Sequence, residues 1–418
     1  MKAARGASDR VPWRALAWSV LIPNLFQAMC QGVAAPAIPL RAHELTHSVA
    51  LAAIAAAVLA LGQMLTTLPA GWLVSRFGER FAMTSSTAAT IIGAFLAYFA
   101  TGIGLFLVGI ALIGAGASVF QLARQSWITI TVPAGVRGRT LSAVAGLNRL
   151  GSFVGPLIAA VVFQLAGDTK TAFLVSAFLS VTLLIIVLVV RVSDDARAAE
   201  RADGGPGVFT TIAANRRLLS TLGATSSLIS TMRSTRRIVV PLVGVAIGLD
   251  AVTIALLVSL GAAIDVVLAY TGGYLTDRLG RLWVALPTMI AFATSYFMVA
   301  LVFLIPSAGF ALLVTSVVIA SVANGISGGL LATMGSDLAD PRQPAPFLSS
   351  WRLVSDMGSN LAPWLIAGVT AIASIGAATA SLGALSLLGA VLLPRFMRRY
   401  LPHRATGAEQ SEELSQND

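Results

Sequence analysis

The sequence predicts an all-α integral membrane protein, with twelve transmembrane helices in two pseudo-symmetric six-helix bundles. Three observations predict it. Of 418 residues, 56% are hydrophobic and 11% charged, and the mean hydropathy is +0.84; a water-soluble fold cannot hide that much apolar surface. About twelve apolar runs stand between charges, glycines and prolines, each close to the roughly 20 residues that cross a hydrocarbon layer about 30 Å thick. One loop sequence is also written twice, first as Gly71, Ser75, Arg76, Gly78, Glu79 and Arg80, then as Gly273, Asp277, Arg278, Gly280 and Arg281. The copies are 202 residues apart (273 − 71), close to half the chain, and each follows an apolar run. This is the sign of a duplicated membrane unit.

In chain order the first six runs are 15–40, 49–74, 81–100, 103–125, 141–165 and 171–190. The second six are 218–247, 251–276, 283–305, 310–334, 347–371 and 375–394. Between the two sets, residues 193–215 combine acidic and basic side chains with Gly204, Gly205, Pro206 and Gly207. Such a segment cannot enter hydrocarbon and reads as a linker between bundles 1–192 and 216–405. The polar, acidic tail 406–418 reads as disordered.

The basic residues support this count. Lys2, Arg5, Arg10 and Arg14, then Arg76, Arg80, Arg137 and Arg139, then Arg191, Arg197 and Arg201 all fall on one side. So do Arg278, Arg281, Arg342, Arg395, Arg398, Arg399 and Arg404, while Arg41 and Lys170 fall on the other. The positive-inside rule then places both termini in the cytoplasm, and the basic start followed by apolar residues reads as helix 1 rather than a cleaved signal. A net charge of +10 carried between apolar runs excludes a nucleic-acid-binding reading and points to the lipid bilayer. One cysteine, Cys30, excludes a disulfide within the chain, and His43, His47 and His403 have no ligand spacing. No metal, cofactor, phosphate-binding glycine loop or catalytic triad is expected.

Charged residues inside the runs carry the functional expectation, because an unpaired ion in hydrocarbon costs several kcal/mol. Arg233, Arg236 and Arg237 share one face of the seventh run. Asp265 lies near the middle of the eighth, and Arg352 and Asp356 stand one turn apart on the eleventh. In the repeat frame Arg233 matches Gln31, which with Asn24 and Gln27 forms a polar face on the first run; Asp265 matches Gln63 and Asp356 matches Arg149. Two readings stand open: these residues bind substrate and protons, or they form buried ion pairs between helices. The excess of arginine favours an anionic ligand. Substrate contact is expected from Asn24, Gln27, Gln31, Arg149, Arg233, Arg236, Arg237 and Arg352, and proton coupling from Asp265 and Asp356. Among the aromatic residues Trp127, Trp351, Phe26 and Phe120, Trp351 is chosen for its neighbour Arg352.

The twin loop resembles motif A of the major facilitator superfamily, and the resemblance covers nearly everything between the two tails. It implies a secondary transporter that alternates between inward- and outward-facing states. In the family the loop carboxylate helps to latch the halves, a role that falls to Asp277 because Ser75 stands at the acidic position of the first copy. Gly151, Gly155 and Pro156 resemble motif C of the proton antiporters in the drug-exporting branch, with Ala159 and Ala160 where that motif ends in glycines. The fourth run departs from the branch's Arg-x-x-Gln-Gly pattern at Ile110, Ile113 and Gly114, and helix 1 has no acidic residue. The resemblance implies a monomeric, non-enzymatic efflux protein of the cell inner membrane, an antiporter exporting small amphipathic compounds, anionic ones among them. Uptake of a small carboxylate or sugar derivative by proton symport and a transporter-like receptor are the alternatives.

Overall fold

A computed structural model gives the structure and describes residues 16–132, 134–189, 208–339 and 344–400. The expected linker falls partly outside these residues, and the tail 406–418 wholly so. Gly273 and the side chain of Asp277 also lie outside the described side chains. The described residues form twelve helices of 18 residues or more. In the first half these are α1 (Ile22–Thr46), α2 (Val49–Phe77), α3 (Glu79–Phe99), α4 (Ile103–Thr131), α5 (Ala134–Ala166) and α6 (Thr171–Val189). In the second they are α7 (Ala224–Ala246), α8 (Ala251–Leu279), α9 (Arg281–Leu301), α10 (Gly309–Ile326), α11 (Pro344–Ile372) and α12 (Ile375–Tyr400). No strand occurs among the described residues.

Nine of the described helical segments pass a length-and-hydropathy test for spanning. The three long helices that do not are α1, α7 and α11. Each carries a polar face, so its low hydropathy marks a helix turned inward rather than a soluble one. The outer surface is apolar, with Phe178 70%, Val267 73% and Ile372 90% exposed, as a lipid-facing surface requires.

Packing repeats between the halves. In the first, α1 lies against α5 and α6, α2 against α4, and α3 against α4 and α6; in the second, α7 lies against α11 and α12, α8 against α10, and α9 against α10 and α12. The halves meet where α5 packs on α8, α2 on α11 and α1 on α7, which places a central space between them.

Both copies of the twin loop turn in the same way. Gly78 has φ 90° and Gly280 φ 87°, in the region that only glycine adopts without strain. Arg76 lies over the Trp72 and Phe77 rings, 5.6 and 5.7 Å from their centroids, and Arg278 lies 4.8 Å from that of Tyr274. Arg80 Nη2 donates to the Leu188 carbonyl at 2.6 Å, and Arg281 pairs with Asp337 at 2.7 Å. The Ser75 hydroxyl donates to the carbonyl of Trp72 within its own helix, so this position is satisfied locally.

Several helices outrun their apolar stretches. α1 continues to Thr46 and α5 begins at Ala134, because a helix keeps its backbone bonds on leaving hydrocarbon. The tenth run is divided where the chain turns at Ser327, Gly328 and Gly329 before the short helix Leu330–Leu338.

Candidate functional site

The central space holds two adjoining cavities of about 240 and 210 Å³. Together they fall within the range of small-molecule sites, roughly 300–1,000 Å³. Gln31, Ala117, Ser152, Arg237, Ala262 and Asp265 line both. Ala35 and Pro39 on α1, Ala56 and Ala60 on α2 and Leu257 on α8 make the first chamber mostly apolar. Gln27, Arg124, Asn148, Arg149, Arg233 and Asn324 make the second polar.

At the junction Arg236 of α7 donates to Asp265 of α8 and to the Ser321 hydroxyl of α10. Both members of the ion pair are about nine-tenths buried. Arg237, the next residue on the helix, is exposed to the cavity space. Arg233 Nε donates to Asn324 Oδ1 at 2.9 Å, a neutral partner that aims the guanidinium without offsetting its charge.

Gln27, Gln31, Arg149, Arg233, Arg236, Arg237 and Asp265 thus come together on the cavity walls. Gln63, the repeat partner of Asp265, lines the apolar chamber. Four other residues expected at the site, Asn24, Trp351, Arg352 and Asp356, line neither cavity. Asn24 is fully buried off the cavity and donates to the Val144 carbonyl at 3.1 Å, clipping α1 to α5. Trp351 packs on Phe347, and its indole N–H donates to the Leu331 carbonyl at 2.9 Å. Arg352 and Asp356 pair at 3.4 Å with 54% of each side chain exposed. The burial on which a proton-coupling role for Asp356 rested is missing, and Arg352 instead reaches Gln125 on α4 at 3.4 Å.

Sequence reasoning missed Arg124, Gln121, Asn148 and Asn324, and of the aromatic residues it weighed, Phe120 rather than Trp351 lines the polar chamber. Arg124 was detectable as a charge inside the run 103–125. The two asparagines carry no charge signal, and only their placement reveals them.

Gly151 and Gly155 set the distance between α5 and α1. A Cβ on Gly155 would lie 2.5 Å from the Gly32 Cα, and one on Gly151 2.4 Å from the Ala28 Cβ. The second half repeats this, because a Cβ on Gly358 of α11 would lie 2.1 Å from the Ser227 carbonyl oxygen, next to α7. Pro156 and Pro363 both line the apolar chamber.

The family model described as Major Facilitator Superfamily matches residues 20–236 and 222–416. A protein of Aspergillus fumigatus, MFS transporter fmqE, is 30% identical over 131 residues, covering 28% of this chain and 24% of that protein. The chain therefore aligns with about a quarter of that relative's length. Among solved structures, a D-xylose-proton symporter superposes with a TM-score of 0.69 at 14% identity, covering 91% of this chain and 97% of that one. A POT family transporter in complex with 5-aminolevulinic acid gives 0.71 at 11% identity, covering 93% and 97%. At these identities the likeness is one of fold.

Proposed function

The chain belongs to the Major Facilitator Superfamily and is a multi-pass membrane transporter, and from that premise we propose that it moves small organic anions through the central cavity by alternating access. The observation that carries the proposal is the charge of the polar chamber. Arg124, Arg149, Arg233 and Arg237 line it with Asp265 as the one acid among its described lining residues, and Asp265 is already paired to Arg236. Excess guanidinium around a cavity selects carboxylate-type ligands, which accept paired N–H donors.

Export is the proposed direction, supported by the likeness of Gly151, Gly155 and Pro156 to motif C. Both termini are proposed to lie in the cytoplasm and the chain in the cytoplasmic membrane, on the strength of its basic loops. The Arg236–Asp265 pair is the proposed proton-coupling element. A proton on Asp265 would release Arg236 toward the cavity, and an anion bound to Arg236 would favour that proton. Proton and anion then bind together and cross in the same direction, so export through this element is driven by the outward gradient of the anion rather than by inward proton flow.

The test is proton movement in proteoliposomes loaded with a pH-sensitive dye, on addition of anionic or cationic amphiphiles. Anion-driven proton movement lost in Asp265→Asn is the expected result. Movement driven only by cations, unchanged in Asp265→Asn and Arg237→Gln, would remove both the substrate assignment and the coupling element.

A further inference from the structure

The two chambers differ in kind, and the difference bears on the shape and charge of the solute. Four arginines face the polar chamber with no free acid among its described lining residues. Arg124 and Gln27 are more than nine-tenths buried, and Arg124 Nε and Gln27 Nε2 have no acceptor. Buried donors without acceptors and buried cations without counter-charge are each unfavourable by a few kcal/mol. Binding a solute that supplies both acceptors and charge relieves both. A monoanion offsets one of four positive charges and offers two oxygens, so most of the imbalance would persist. A headgroup with two negative charges and three or more oxygens can take bidentate bonds from two guanidinium groups at once. Across Asp265 and Ala262 the other chamber carries polar side chains such as Gln63, Ser234 and Ser359, but most of its wall is apolar, with Ala56, Ala60 and Leu257 among its residues, and suits an apolar body.

We propose that the solute is an amphiphile with a dianionic head, a phosphonate, phosphate ester or dicarboxylate, held in the arginine chamber, and an apolar body in the alanine-lined chamber. This rests on the proposed reading of the cavity as the transport site. The head contacts Arg124, Arg149, Arg233, Arg237 and Gln27, while the Arg236–Asp265 pair, neutral as a whole, marks the boundary with the apolar side.

The test is titration calorimetry of the full chain in lipid nanodiscs at mildly alkaline pH, with phenylphosphonate, phthalate, benzoate, benzylammonium and inorganic phosphate as probes. At least one of the two dianionic aryl probes is expected to bind about tenfold or more tighter than benzoate, and the better of the two identifies the head. Inorganic phosphate, which lacks the body, is expected to bind about tenfold more weakly than phenylphosphonate. Arg124→Gln is expected to weaken the dianions about tenfold and benzoate much less. Ala60→Phe is expected to weaken phenylphosphonate while leaving inorganic phosphate unchanged. Unliganded melting and size exclusion confirm that each variant is folded. Benzoate bound as tightly as both dianions, and lost in Arg237→Gln, would overturn the dianionic head and leave the anion reading intact. Benzylammonium binding with no anion binding would overturn both.

Discussion

Arg236 and Asp265 join α7 to α8 inside the membrane domain, and their stability effects are expected to differ sharply from that of the neighbouring Arg237. Breaking a buried pair from one side leaves an uncompensated charge, which destabilises by about 3–5 kcal/mol. Arg236→Gln and Asp265→Asn are each expected to lower the melting temperature of the purified protein, and the double substitution to lower it by less than the sum. Arg237→Gln removes a cation that has no acid partner and is expected to leave unliganded stability equal or higher while weakening anion binding, a trade of stability for function. Equal losses in all three variants would contradict the division of the cluster into one structural pair and one binding group. The pair was readable from sequence because three arginines on one helical face stand opposite a single mid-helix aspartate. The same logic put Arg352 and Asp356 at the site, and the structure shows them as a half-exposed pair outside both cavities. Their one-turn spacing is real, and they share a face with Ser359 and Pro363, which line the apolar chamber. They lie about one to three turns nearer the start of α11, with 54% of each side chain exposed, so spacing gave the face of the helix and not the depth along it.

At the scale of helices, the close approach of α1 to α5 depends on Gly32, Gly151 and Gly155. Gly155→Leu forces side-chain atoms into the α1 backbone and is expected to destabilise by at least about 1–3 kcal/mol, the range of core overpacking. Gly146 on the same helix has open space around its Cα, so Gly146→Ala is expected to be neutral or stabilising through helix propensity, by up to about 1 kcal/mol. Similar losses from both substitutions, measured by thermal unfolding, would show that contact with α1 is not what the glycines provide. At the start of α8, outside the hydrocarbon span, the Asp250 carboxylate accepts from the Thr253 hydroxyl at 2.7 Å and amide at 3.0 Å. These bonds hold its carboxyl below the usual range. A depressed folded value means that the cap contributes fully above the unfolded value of about 3.9 and fades as pH falls through the lower folded one. Asp250→Asn is therefore expected to flatten acid sensitivity of local exchange at this terminus only at strongly acidic pH. Helix existence was legible in the apolar runs, including α1, α7 and α11, whose polar residues interrupt but do not end them. The break after α10 was not, because Ser327, Gly328 and Gly329 sit inside a stretch whose hydropathy continues across them.

For the whole molecule, the duplicated loop foretold two like halves because a loop repeated at the same place in each half requires the same helix parity before it. How the halves face each other was not legible, since the contacts of α5 with α8 and of α2 with α11 depend on shape rather than on pattern. The proposed sidedness has its own check. With Cys30 replaced by serine, single cysteines at Ser75 and at His47 are expected to label from opposite sides of intact cells, Ser75 from within. Labelling of both from outside would contradict the orientation. The central claim is that an arginine-lined cavity between these halves carries organic anions across the bilayer. It is tested most directly by counterflow of labelled phenylphosphonate and benzoate into proteoliposomes preloaded with the unlabelled anion. Saturable accumulation, absent from protein-free liposomes and lost in folded Arg237→Gln, is the expected result. Anion accumulation no greater than in protein-free liposomes, alongside counterflow of a cationic amphiphile, would contradict it.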